Sequence, residues 1–208
     1  MFSLQTIFGK GDRFFALLQD SAAAALDATR ALLALVERKA NQPSLEEFRL
    51  ARDRERKVAE EIRTELVNTF VTVLERDDIE TLGNALYRIP KTVEKFAERY
   101  ALAGERIHGV DFVPRAKMLV DAAEVVLKMV SELKGMKLEP MKALSDRLRA
   151  IEVEADRLML ELYRELYAGK YDPIQTFMVH DFYEILEKAI DRCREAVVVT
   201  YQIVLKNS

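Results

Sequence analysis

Apolar residues recur at three- and four-residue intervals along nearly the whole chain, interrupted only by short polar or Gly/Pro-containing breaks. That pattern leaves room for little besides long amphipathic helices. The first runs from about Asp12 to Lys39, with Phe15, Leu18, Ala22, Ala25, Leu26, Thr29, Leu32 and Leu33 on one face. Asn41-Gln42-Pro43-Ser44 stops it, and Ser44 with Glu47 forms a capping box for a second helix that reaches about Leu74. Either Asp77 or Asp78 can cap the third, from about Ile79 to Ile107, in which Pro90 is expected to cause a kink by removing a donor. Gly109 to Pro114 is the next break. The fourth helix runs from about Pro114 to Lys134, with Gly135 as its C′ residue. The fifth begins near Pro140 and continues to about Ala168, with Gly169 beyond it. Asp172-Pro173, an N-cap followed by a first-turn proline, opens the sixth, which reaches about Leu205.

Composition agrees with this pattern. The 208 residues include 7 Gly and 5 Pro, while Ala, Leu, Glu, Lys and Arg dominate, a mixture that loses little entropy on forming helix. The chain is therefore expected to be all-α. Its 32 basic and 35 acidic residues are interspersed. The basic block expected of a nucleic-acid binder is missing. A lone cysteine, Cys193, excludes an internal disulfide framework and suits a reducing compartment. It lies on the sixth helix's apolar face and reads as a core residue. The opening Met1 to Lys10 lacks the pattern of a signal peptide. The most apolar stretch, Ala22 to Val36, is broken by Asp27 and Arg30 and reads as a buried helix, not a membrane span. A cytoplasmic, non-spanning chain is the expectation.

A shift of 100 positions lays the second and third helices on the fifth and sixth, with Ile62 on Leu162, Leu66 on Leu166 and Leu86 on Leu186. The expected architecture is one domain over residues 1–208 made of six long antiparallel helices. These form two repeated three-helix bundles, residues 11–108 and 114–206.

Glu152 and Asp156 on the fifth helix, and Glu187 and Asp191 on the sixth, are carboxylates spaced four apart. Each pair shares a helix face and borders the apolar stripe. If the two helices are antiparallel neighbours, four carboxylates converge near one seam, and a bound cation is the usual remedy for such repulsion. Oxygen ligands suit Mg, Ca, Mn or Fe. His180 and Glu184 lie on the same face as Glu187 and are further candidate ligands. The competing reading is a solvated face whose carboxylates pair with Arg157, Lys188 and Arg192.

These motifs, in this order, resemble the PhoU-like superfamily and, within it, the Pit accessory proteins. The acidic residue–three others–aspartate motifs at Glu152–Asp156 and Glu187–Asp191 carry the resemblance. So do the corner Thr69-Phe70-Val71-Thr72 with Glu75-Arg76-Asp77-Asp78-Ile79, and Phe8, Phe14 and Phe15 ahead of an Ala-rich helix. The resemblance spans essentially the whole chain. It implies an accessory protein of an inorganic phosphate transporter, at the inner face of the membrane and able to form homo-oligomers. It also implies metal ions, iron among them, on the acidic motifs. The first repeat departs from the motif, because Arg52, Arg56, Tyr87 and Lys91 stand where Glu152, Asp156, Glu187 and Asp191 stand in the second. A metal site is thus expected in the second half alone. Arg52, Arg56 and Lys91 form a candidate anion site, or pair with Glu55, Glu60 and Glu94.

No nucleophile–base pair or Gly-rich phosphate loop is visible, so an enzyme is not expected. Glu105-Arg106-Ile107-His108 matches one Glu-x-x-His element of di-iron bundles, but that fold needs two. A carboxylate-bridged metal bundle with oxidase or metal-handling activity is one alternative, and a purely structural helical interaction module is another.

Overall fold

The computed structural model describes residues 4–38, 44–107 and 109–208. The Asn41-Gln42-Pro43 break, the first three residues and His108 lie outside them. Among the described residues there are six α-helices and no strand: α1 (Leu4–Arg38), α2 (Glu46–Asn68), α3 (Arg76–Ala103), α4 (Val113–Glu132), α5 (Leu138–Tyr167) and α6 (Pro173–Asn207). Two 3-10 turns, Gly104–Ile107 and Leu133–Gly135, extend α3 and α4.

Helices α1, α3, α6 and α4 form a closed ring in which each packs on the next. Helix α2 lies outside against α1 and α3, and α5 lies outside against α4 and α6. The first three helices and the last three therefore make the same set of contacts, and the two sets meet through α1 on α4 and α3 on α6. Both α1 and α4 are rich in buried alanine (Ala22, Ala25 and Ala28; Ala116, Ala122 and Ala123), the side chain that permits short interaxial distances. Near the end of α6, Lys206 donates to Asp78 in the first turn of α3 at 2.7 Å. At the opposite end, Arg99 pairs with Asp181. Helices α3 and α6 are thus antiparallel, tied at both ends.

An aromatic cluster closes the α3–α6 seam. Phe96 meets Phe182 edge-on with centroids 5.0 Å apart, and meets Phe112 at 5.5 Å. Phe112 comes from the connection between the two sets of helices, and its ring also packs on Tyr183 at 5.1 Å. The Tyr183 hydroxyl donates to the Asp111 carbonyl at 2.8 Å, so the connection is fastened as well as plugged. Edge-to-face pairs of this kind add to the stabilisation that burial alone provides.

Asp172 caps α6 through its carboxylate, which accepts from the amides of Ile174 and Gln175. Gly169 takes the left-handed conformation beyond α5. Other helix ends differ from the sequence expectation. Helix α2 stops at Asn68, not Leu74, and the Arg76 guanidinium donates to the carbonyls of Leu66 and Thr69 that the helix end leaves open. The left-handed residue after α4 is Met136, with φ 47°, and not Gly135; its amide bonds to the Leu133 carbonyl at 3.1 Å and closes the 3-10 turn. Ser44 accepts from the amide of Glu46 at 3.3 Å, not from that of Glu47, so the capping box is not formed as expected. Helix α3 begins ahead of both candidate caps, at Arg76, with Asp77 and Asp78 in its first turn. It runs as one element through Pro90.

Phe96 touches three other rings of the cluster. Phe96→Ala should therefore cost about 3–5 kcal/mol, read as a lower denaturation midpoint at unchanged slope. An unaltered midpoint would mean that the seam does not depend on the cluster.

Candidate functional site

The outer helices carry little buried surface, and their inward faces hold the charged residues singled out above. In the first half, Arg52 of α2 is 4% exposed. Its Nε donates to Glu94 Oε2 of α3 at 3.0 Å and its Nη2 to the Tyr87 hydroxyl, also at 3.0 Å. The guanidinium carbon sits 4.6 Å from the centre of the Tyr87 ring. The bond from Arg52 draws the Tyr87 hydroxyl below its ordinary pKa, and Lys91 and Arg56 pull the same way. The three candidate anion-binding cations therefore do gather around Tyr87. Arg52, however, is largely engaged by Glu94 and Tyr87, and Arg56 sits in the open, 3.8 Å from Asp53.

In the second half, Glu152 of α5 accepts from Arg194 of α6 at 2.7 Å. The shift of 100 positions that places Glu152 on Arg52 also places Arg194 on Glu94. The same interhelical ion pair therefore stands at equivalent positions in the two halves with its charges exchanged. This mirror relation was within reach of the sequence, through position 94, and was missed because Glu94 was read only as one of several partners for the first-half cations.

Helices α5 and α6 do pack together, and the acidic motifs face one another. Glu152, Glu187 and Asp191 are all held above the ordinary carboxylate range, chiefly by burial. Mutual repulsion adds to this: Asp156 and Asp191 act on Glu152, Asp191 and Asp156 on Glu187, and Asp156 on Asp191. Glu184 also repels Glu187. His180 lies a turn or more away, stacked on Tyr163 at 5.6 Å with Nε2 3.5 Å from Glu184. Arginines temper the seam: Arg149 attracts Glu152 and Arg192 attracts Asp191. Arg194 is bonded to Glu152, and buried Arg115 of α4, stacked 4.8 Å from the Tyr183 ring, attracts Glu187.

An all-oxygen donor set on two facing helices fits a hard cation in kind. Among the described residues, no three His, Cys, Asp or Glu side chains stand close enough together to form a ready set of ligands. Cation binding would draw the carboxylates inward and displace Arg194 from Glu152.

One of the acids offered as a partner for the first-half cations is itself buried. Glu55, one turn after Arg52, is 1% exposed and accepts from Ser21 Oγ of α1 at 2.6 Å. Burial pushes its carboxyl up to about 7, against the pull of Ser21, Arg52 and Arg63. Glu55 Oε2 and Arg52 Nη1 are both buried without a hydrogen-bond partner. Cys193 is fully buried and its thiol is pushed up to about 12, which makes it an inert core residue.

No family model matches the chain. Over 94% of its length it is 24% identical to a Rhizobium meliloti (strain 1021) protein named "Putative pit accessory protein", 94% of which is covered. It is also 24% identical to the UPF0111 protein YkaA of Bacillus subtilis (strain 168), over 69% of this chain and 70% of that one. Among solved structures, a PhoU-like protein from Shewanella oneidensis MR-1 superposes with a TM-score of 0.80 at 16% identity, over 93% of this chain and 99% of that one. This chain has the PhoU-like fold. A second structure from the same organism, a "putative PhoU-like phosphate regulatory protein", gives 0.79 at 17% identity over the same shares. The PhoU-like fold and the pit-accessory relative agree with the resemblance carried by the acidic motifs. No helix among the described residues is long and apolar enough to cross a membrane.

The first-half seam gives the chain a specific pH response. Glu55 is about 7 in the fold against an ordinary value of 4.5, so between those values the native state holds a proton that the unfolded chain releases. Stability contributed by this group is present below the lower value and is lost as pH rises through the higher one. Glu55→Gln should therefore raise stability by on the order of 2 kcal/mol near pH 8, with the gain fading towards about pH 4. Thermal unfolding of both proteins across this range checks it; a gain that does not vary with pH would show that Glu55 is not the titrating group.

Proposed function

We propose that this chain is an accessory or regulatory protein of inorganic phosphate transport, not an enzyme, and that it binds metal through the acidic seam of its second half. The observation that carries the reading is the seam itself. Glu152 and Asp156 on α5 face Glu187 and Asp191 on α6, and burial, with repulsion across the seam, raises the proton affinity of Glu152, Glu187 and Asp191. Such a set is stabilised by a cation. The equivalent first-half positions, occupied by Arg52, Arg56, Tyr87 and Lys91, repel one. Glu184 is a further candidate donor, and His180 a more distant one. The names of the pit-accessory relative and of the phosphate-regulatory structural neighbour supply the transport context. In this reading the protein is cytoplasmic, works at the inner face of the membrane beside a phosphate transporter, and forms homo-oligomers. Iron is one suitable occupant of the seam.

Elemental analysis of the purified protein tests the metal reading, with two variants alongside. Stoichiometric metal is expected in the native protein and in Arg52→Ala, and none in Asp156→Ala/Asp191→Ala. Absence of metal under every loading condition would remove it. Co-purification with a co-expressed inorganic phosphate transporter tests the accessory role, and oxygen uptake on ferrous loading would instead assign the chain to the oxidase class.

A further inference from the structure

The α3–α6 groove carries a second concentration of charge, whose Lys95, Lys188 and Arg192 also border a neighbouring cavity lined by Glu184, Glu187 and Asp191. Arg88, Lys91 and Lys95 project from α3, Lys188 and Arg192 from α6, around an open cavity of about 580 Å³. Arg88 and Arg192 share one carboxylate, Glu195. Among the described residues, no carboxylate lies within ion-pairing distance of Lys91, Lys95 or Lys188. Of the two acids in the lining, Glu94 is held by Arg52 and Glu98 stands alone. The groove thus holds a net excess of cations that the fold leaves unmatched.

Ion pairs bracket the lysines along the helices. Arg88–Glu195 and Arg99–Asp181 bridge α3 to α6 on either side of the three lysines. The eleven helical steps from Arg88 to Arg99 span roughly 16 Å. A cleft of that length admits a compact ligand more readily than a threaded chain. Its lining contains no aromatic ring on which a nucleobase could stack, and Ile185 is its one aliphatic residue. Individually solvated lysines hold a monovalent anion weakly, because each exposed pair is worth little. Several acting together favour a ligand with several adjacent charges.

We propose that this groove binds a soluble oligophosphate, the class of compact, multiply charged oxyanion that its lysines can hold together. The site is distinct from the Arg52, Arg56 and Lys91 cluster expected from the sequence, with which it shares only Lys91. It does not depend on the transport role or on metal in the acidic seam, so its failure would leave both readings standing.

Calorimetric titration of the full chain with inorganic tripolyphosphate, at low ionic strength and then with added salt, tests it. Saturable binding is expected, weakening as salt rises and far stronger than binding of orthophosphate or sulfate. Lys91→Ala/Lys95→Ala/Lys188→Ala should bind about tenfold more weakly or worse. These side chains are exposed, so the variant should melt like the native protein, and Lys57→Ala, on the outer helix, should bind normally. Three results would each overturn the proposal: no tripolyphosphate binding, equal binding by the triple variant, or binding only to vesicles containing anionic lipid.

Discussion

The closed ring of α1, α3, α6 and α4 is the constraint on which everything else rests. Three helices on their own would leave one flank of α1 and one of α3 apolar and uncovered. Here those flanks are covered by α4 and α6, and all six helices contribute to one continuous core. Neither half owns a complete interior. Phe112 makes the dependence explicit, since the ring that plugs the α3–α6 seam belongs to the segment connecting the halves.

With the interior assigned to the ring, α2 and α5 are free to be mostly charged. Six residues of α2 are buried, and two of them, Arg52 and Glu55, are ionisable. Polar groups in such a seam must find partners, because leaving them unsatisfied is costly. The first half meets this demand with a guanidinium stacked on a phenol and bonded to a carboxylate. The second concentrates carboxylates and sets arginines around them, with Arg194 bonded to Glu152. The same backbone arrangement thus presents two electrostatic surfaces, and it is the second that invites a cation.

The helices and their order could be read from the sequence because periodicity and local stop signals are written residue by residue. Asp172 and Gly169 behave as their types suggest, since a cap and a left-handed glycine need no distant partner. The end of α2 could not be read in this way. Phe70, Val71 and Val73 continue an apolar pattern past Asn68, and the exit is instead secured by Arg76, from beyond the corner. Met136 takes the conformation that glycine usually takes because the turn closing on Leu133 falls one residue later than expected. In the charged seams, the spacing of the acidic pairs identified the right faces. It gave no sign that Glu55 lies inside, because Arg52-Asp53-Arg54-Glu55-Arg56-Lys57 looks like a solvated run; the partner that explains its burial, Ser21, lies on another helix.

Because the Arg52–Glu94 and Glu152–Arg194 pairs carry opposite polarity, the two outer helices are not interchangeable. An α5 seated on α3 would set Glu152 against Glu94, and an α2 seated on α6 would set Arg52 against Arg194. Each wrong docking juxtaposes like charges, whereas each right one joins opposites. A duplicated architecture faces an ambiguity that a unique one never meets, since its near-identical parts can trade places within one chain or between neighbouring copies. The exchanged charges act as a key and its lock, telling each outer helix which half is its own.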